Sequence, residues 1–493
     1  MTSIDNILER TCGELPSHPW LRWAAVLFSL FVLSIQISLA AAQIFLSAAG
    51  ILYLAYLLKV KPRIGFLPVK LPLALFCVLS VVSVFFSANP AVGWFAVRKL
   101  VLFLVWLLAV NVVVSRQHLR RLLQGLFVVS LLASLVAIVQ FVIQYHDVEV
   151  HHPDRLYYYL TLTRIHGFTG HWMNFGGQQM LVFAFFLAFL LLAPGADRNS
   201  KLETGNRKLE IGDSRLETGN WKIETRTPSG QERRPESGVR NPESHVGDGL
   251  PQAPVAGEPQ FPVSSFPFRL SFFWWVVLAI MALSIVLNFT RGVWLGCLLE
   301  GVYLVARWRP KWLWVLLLLP FVGYVGAPSL VRQRLHGAMH PAHDPALSIR
   351  FEMWHVALNM IRAHPWVGVG PNNVEEEYVL YLPPGKSPEL GYHNHFHNDY
   401  LQFGAERGLP CLAAWLWLMG ALGWQILKVR RRSKSPRDRW IADGGFGAWL
   451  ALLAEGCFEF NFGTSPVLVM FLFVTATPFI SSKVDASTEV QVA

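Results

Sequence analysis

The stretch GYHNHFHNDYLQFGAERGLPCLAAWLWLMGALGWQIL, residues 391–427, joins two kinds of sequence at one point. Its first part holds three alternate histidines, His393, His395 and His397, followed by Asn398, Asp399, Gln402, Glu406 and Arg407. Its second part, 409–427, carries no charge and has the length a helix needs to cross ~30 Å of hydrocarbon. Packing alone does not set a dense titratable cluster against a membrane-length run. The pattern points to a catalytic segment at the outer face of a bilayer, and so to a helical membrane fold.

Composition agrees. Of 493 residues, 53% are hydrophobic and only 15% charged, with 19 Trp and 34 Phe. Soluble domains carry roughly 25% charged residues. Solid apolar runs recur along the chain, where a spanning barrel would alternate. The net charge of +10 calls for no nucleic acid, because basic residues gather on cytoplasmic loops of membrane proteins. Cys77, Cys297, Cys411 and Cys457 lie in apolar runs, so neither a disulfide framework nor a zinc site is expected. Asp5, Glu9 and Glu14 stand where a signal peptide would be basic, so no cleaved leader is expected.

The expected fold is an all-α polytopic membrane protein of about twelve transmembrane helices, with a large outer loop between helices 9 and 10. Residues 1–20 form a cytoplasmic N-terminus. Helices 1–6 occupy 21–193, the first two joined by a tight turn near Ser38 to Gln43. A polar insert, 194–268, contains the degenerate repeat KLETGNRKLE and RLETGNWKIE, and its low hydrophobicity predicts a disordered cytoplasmic segment. Helices 7–9 occupy 269–330. The outer loop is 331–408, helices 10–12 occupy 409–481, and a cytoplasmic tail covers 482–493. The run KVRRRSKSPRDR, 428–439, is the strongest inside marker. Arg98 and Lys99 break the rule at the outer end of the fourth span, where they would snorkel or face an anion.

Thirteen of the sixteen histidines fall in two outer segments, 145–174 and 331–408. Several arginines join them. Arg291 is pinned at the membrane surface between two apolar runs, and Thr290 is placed to cap the next helix, which makes an anion site. Arg164 begins the glycine-rich loop RIHGFTGHWMNFGG, which also holds Asn174. In SIRFEMWHVALNMIRA, 348–363, Ile349, Met353, Val356 and Met360 recur at helical spacing, which predicts an interfacial amphipathic helix capped by Ser348 and carrying Arg350 on its polar face. The histidine trio admits a metal site, an inert polar loop or a general base. For a base His397 is best placed, with Asn398, Asp399 and Gln402 beside it to orient the ring or hold sugar hydroxyls. No Asp-x-Asp pair for a divalent metal occurs in the outer loops. Glu300, Glu455 and Glu459 are ionisable groups within spans, with no role read from sequence.

Four stretches, in order, resemble the bacterial O-antigen ligase and O-antigen polymerase superfamily. HNDYLQFGAERGLPCL, 397–412, is similar to its His-Asn-x-x-Leu-Gln…Glu-x-Gly-Leu-x-Gly signature. RIHGFTGHWMNFGG, FTRGVWLG (289–296) and RFEMWHVALNMIRAHPWVGVGPNNV (350–374) resemble its arginine loops and the segment before its long outer loop. Cys411 stands where the family often has Gly, and the insert is not a family feature.

The resemblance implies an inner-membrane enzyme with its active site on the periplasmic face. It would move a glycan from undecaprenyl pyrophosphate to an acceptor hydroxyl, without cofactor or metal. Arg164 and Arg291 would clamp the pyrophosphate and His397 would activate the acceptor. Arg350, Asn398, Asp399, Gln402 and Asn174 would contact substrate. The partners would be the lipid-linked glycan, a lipid A core or other glycan acceptor, and membrane lipids. A polymerase, a protein O-oligosaccharyltransferase and a transporter of an anionic or lipid-linked substrate are the alternatives. A transporter favours mid-membrane charge and inverted repeats, whereas the charges here cluster outside.

Overall fold

Apolar runs surrounded by lipid must satisfy their own backbone N–H and C=O groups, and a helix does so within one segment. The structure, a computed structural model, describes residues 11–193, 272–326, 345–386, 394–433 and 436–492, with residues 329, 332, 333 and 336. Among the described residues there is no strand. The insert 194–268 and His393 lie outside them.

The helices are α1 (Pro19–Ser34), α2 (Leu39–Val60), α3 (Lys70–Phe85), α4 (Pro90–Val97), α5 (Leu104–Val112), α6 (Arg116–His151), α7 (Leu156–Leu162), α8 (Trp172–Leu192), α9 (Phe272–Leu287), α10 (Arg291–Trp308), α11 (Leu313–Gly326), α12 (Pro345–Ala363), α13 (Val374–Glu377), α14 (Asp399–Arg432), α15 (Pro436–Glu455) and α16 (Ser465–Val492). Among the described residues, six segments are long and apolar enough to cross a membrane: Leu39–Val60, Pro90–Val112, Arg116–His151, Trp172–Leu192, Asp399–Arg432 and Ser465–Val484. Pro19–Ser34, Lys70–Phe85 and Phe272–Leu287 are shorter apolar helices. These features describe a multi-pass helical membrane protein.

Polar contacts gather at two ends of the bundle. At one, Asn398 Nδ2 donates to Cys457 O (2.9 Å), Lys99 Nζ to Gly463 O (2.8 Å) and the Asn89 amide to Asn373 Oδ1 (2.9 Å). At the other, Arg116 and Arg120 pair with Asp438 at 3.5 and 3.6 Å, Ser115 Oγ donates to Glu14 O, and Lys483 donates to Val110 O. Between the ends lies an apolar core in which Phe28, Trp106, Phe185 and Trp415 are fully buried.

Four local expectations change. The first turn closes earlier, because Ser38 is itself the N-cap of α2 and accepts from the Ala41 amide. The fourth span is interrupted: Arg98–Phe103 forms a 3-10 segment between α4 and α5. In α12 the helix starts at Pro345, so Ser348 lies inside it and does not cap it. Its apolar stripe does not lie on lipid either. Met353, Val356 and Met360 pack with Val369, Val374, Tyr378, Phe396 and Ala405 in a second, smaller core.

The fourth change concerns the opening stretch. Helix α14 starts at Asp399, before the apolar run, with Asn398 as its N-cap accepting from the Leu401 amide at 2.9 Å. The chain then breaks from helical geometry at Gly408 (φ 79°), just ahead of Pro410. The break lets two backbones touch. Val369 N donates to Ala405 O, Gly370 N to Glu406 O and Leu409 N to Pro365 O, all at 2.7–2.9 Å. A side chain at Gly408 would put its Cβ 2.4 Å from the Trp366 backbone, and one at Gly368 would meet Glu406 at 2.3 Å.

Candidate active site

The site is built on the turn between α15 and α16. Glu459, 1% exposed, bridges an arginine and a histidine. Its Oε1 accepts from Arg350 Nη2 at 2.5 Å and its Oε2 lies 2.8 Å from His397 Nδ1. Burial alone would raise this carboxyl, but Arg350 first, then the His397 hydrogen bond, and also Arg164, hold it down at about 2. An ionised carboxylate only accepts, so His397 Nδ1 carries the proton. In the neutral ring the lone pair is then on Nε2, as a general base requires.

His397 adopts a left-handed backbone (φ 48°). Such a conformation costs an L-residue about 1–2 kcal/mol, and here its surroundings enforce it. Phe396 is fully buried in the second core, its carbonyl accepting from Trp354 Nε1 and its amide donating to Gln402 Oε1 at 2.7 Å. Asn398 is fixed as the cap. With both neighbours held, the alternation of the stretch sends Phe396 inward and leaves His395 and His397 together, ring centroids 4.3 Å apart. His395 is pushed down to about 3 by burial first, then by the neighbouring His397, so it is uncharged near neutral pH.

The Arg164 loop and the Arg291 turn meet through one amide. Asn288, fully buried, donates from Nδ2 to Ile165 O (3.0 Å) and Trp172 O (3.1 Å). Its Oδ1 accepts the Thr290 hydroxyl at 2.5 Å. Thr290 does occupy the N-cap position of α10, but its side chain makes no capping bond because Asn288 takes it. Arg164 donates from Nε to Thr161 O and stacks over Trp172 at 4.0 Å. Arg291 opens α10, and the next residue, Gly292, packs against Glu455 and Glu459, so that a Cβ there would stand 3.3–3.4 Å from their Cγ atoms. The α10 N-terminus, with its partial positive charge, therefore abuts the buried carboxylate. His171 caps α8 by accepting from Met173 N. Its pKa is lowered by burial first, while Glu459 pulls upward and Arg164, His166 and His397 push down.

Arg164, Arg350, His397 and Glu459 thus share one electrostatic neighbourhood, with Arg291 at its border. The other residues singled out from sequence serve the scaffold in this conformation. Gln402 links the Phe396 amide to Glu406, which accepts from Gln402 Nε2 and from the Asn372 amide. Asp399 is 1% exposed and accepts from the Phe462 amide. Asn398 spends both ends of its amide on Leu401 N and Cys457 O. Asn174 is half-buried in the first turn of α8.

Residues 276–416 match the family model described as O-antigen ligase. The chain carries an O-antigen ligase domain. No curated protein matches the chain. Arg291, Arg350 and His397 fall inside the O-antigen ligase domain, whereas Arg164 and Glu459 come from outside it. The fold, not the matched stretch alone, completes the cluster.

Two residues gained a place that sequence reading had not given them. From sequence Glu459 reads only as an ionisable group within a span, whereas the structure sets it in the turn after α15, and nothing in its neighbours GCFEFNFG names His397 as its partner. Asn288 was legible only as a turn residue. An uncharged but polar Asn at the end of the apolar run 272–287 was the available signal.

Proposed function

We propose that this protein transfers a glycan from undecaprenyl pyrophosphate to an acceptor hydroxyl at the periplasmic face of the bacterial inner membrane, within a bundle of about twelve spans. The observation that carries this reading is the buried Glu459 carboxylate held between Arg350 and His397. It supports His397 as a base with a fixed tautomer, in a neighbourhood rich in arginine.

In this reading His397 Nε2 removes the proton of the acceptor hydroxyl as its oxygen attacks the anomeric carbon, with inversion. The bond to the pyrophosphate oxygen breaks, and charge grows on the leaving group. Arg164, Arg291 and the α10 N-terminus stabilise that charge, and fixed donors are worth most where water is scarce. Arg350 is neutralised by Glu459, so its main task is to hold the carboxylate that orients His397. Asn398, Asp399 and Gln402 shape the segment, and Asn174 borders the donor side. Ligase, polymerase and protein-glycosylating versions share this chemistry and differ in the acceptor.

The test is glycan transfer by purified protein from an undecaprenyl-pyrophosphate glycan. His397→Ala, Arg164→Ala and Arg291→Ala should each abolish product while inserting normally. Near-normal transfer by His397→Ala would remove the base assignment. The glycan lost in a deletion strain would identify the acceptor.

A further inference from the structure

Arg98 and Lys99 defied the charge pattern of the sequence, and the active-site chemistry above does not use them. Lys99 lies in the 3-10 segment that interrupts the Pro90–Val112 span, with its side chain accessible. It lines a cavity of about 50 Å³ together with Arg407, Glu406 and Asn372. Phenyl rings of Phe76, Phe103, Phe403, Phe460 and Phe462 form much of the rest of its wall.

The cations in this cavity are under-compensated. Arg407 Nε is buried and has no acceptor among the described residues. The nearest carboxylate contact of Arg407, Nη2 to Glu406 Oε2, is long at 3.8 Å. Glu406 is already committed, because its Oε1 accepts from both Asn372 N and Gln402 Nε2. The Arg407 guanidinium otherwise rests on the faces of Phe403 and Phe76, at 4.8 and 5.8 Å. Lys99 spends one of its three donors on Gly463 O. Two positive charges against one carboxylate, in an aromatic-walled cavity, leave a net attraction for an anion.

We propose that this cavity is a phosphate-binding site, separate from the Arg164–Arg350–Glu459 cluster, which holds a single phosphate group between Lys99 Nζ and the Arg407 guanidinium. The cavity has room for one tetrahedral anion. The planar guanidinium and the mobile ammonium are the usual pair for such a group. The phenyl walls suit an apolar chain next to that phosphate, so a lipid phosphate is the favoured source and free phosphate the other. Phe460 borders both sites, with its ring 6.2 Å from His395 and 6.0 Å from Phe403.

The experiment is protection of Lys99 from an amine-reactive ester, read peptide by peptide by mass spectrometry on full-length protein in zwitterionic detergent. The probes are inorganic phosphate, short-chain phosphatidic acid and short-chain phosphatidylcholine. At ten times its Kd a bound probe should slow Lys99 acylation about tenfold. Phosphatidic acid protecting at much lower concentration than inorganic phosphate would assign the site to lipid, and equal potency would assign it to free phosphate. Arg407→Lys should weaken protection, and His397→Ala should leave it intact, which separates this site from the transfer chemistry. Lys99 acylation at one rate with and without either phosphate probe would overturn the proposal, as would equal protection by phosphatidylcholine.

Discussion

His397 Nδ1 lies 2.8 Å from Glu459 Oε2, across 62 residues of sequence. Glu459→Gln keeps the shape and removes the charge that fixes the ring. Transfer should fall about 10²-fold or more, the range for losing an oriented base. Arg350 would be left half-buried without its carboxylate, which should also lower stability by about 3 kcal/mol. Activity measured on protein that remains folded separates the two effects, and undiminished transfer would deny Glu459 its positioning role.

The same carboxyl predicts a pH dependence. Its folded value, about 2, lies below its ordinary 4.5. A depressed acid contributes stability fully above its unfolded value and loses it as pH falls through the folded one. Thermal midpoints should therefore drop more steeply between pH 4.5 and 2 in the wild type than in Glu459→Gln. Parallel curves would contradict the pairing.

At His397 the backbone itself offers a test. Glycine accepts φ 48° without steric cost, alanine does not. His397→Gly should be more stable than His397→Ala by about 1 kcal/mol, with both inactive. Denaturation of the two variants in one detergent provides the comparison, and equal stabilities would mean the strain is absent.

Asn288→Ala removes three buried hydrogen bonds that tie the Arg164 loop to the Arg291 turn. It should destabilise by about 2–3 kcal/mol and reduce transfer although Asn288 carries no charge. Full activity would show that the two arginines find their places without it.

Much of this protein was legible in its sequence, for identifiable reasons. Apolar runs such as 172–192 and 465–484 announce helices because length and hydropathy act locally. Arg164, Arg291 and His397 stand out in the sequence because each departs from a local expectation of charge or composition, and the structure brings Arg164 and His397 near one carboxylate. Glu459 and Asn288 were not, since their partners are distant in sequence and only packing brings them near. The amphipathic reading of 348–363 had the right period but the wrong neighbour. A stripe of Met353, Val356 and Met360 reads alike whether lipid or Phe396 covers it.

Gly408 marks another place where local reading stops. Its break from helical geometry exists to let 365–370 press against 405–409. Gly408→Ala should cost about 2 kcal/mol or more, through both the unfavourable φ and the collision with Trp366. Thermal unfolding would measure it, and a wild-type midpoint would show that the two segments can separate.

Glu459 lies in the turn between α15 and α16, C-terminal to every other residue of the cluster, and so is synthesised after them. As the chain emerges from the ribosome, Arg164, Arg291, Arg350 and His397 enter the membrane first. Until the α15–α16 hairpin arrives, His397 lacks the carboxylate that sets its tautomer and Arg350 lacks its counter-charge. On the proposed reading, a nascent or truncated chain ending before 459 should already hold His397 and the three arginines yet transfer no glycan until the α15–α16 turn supplies Glu459.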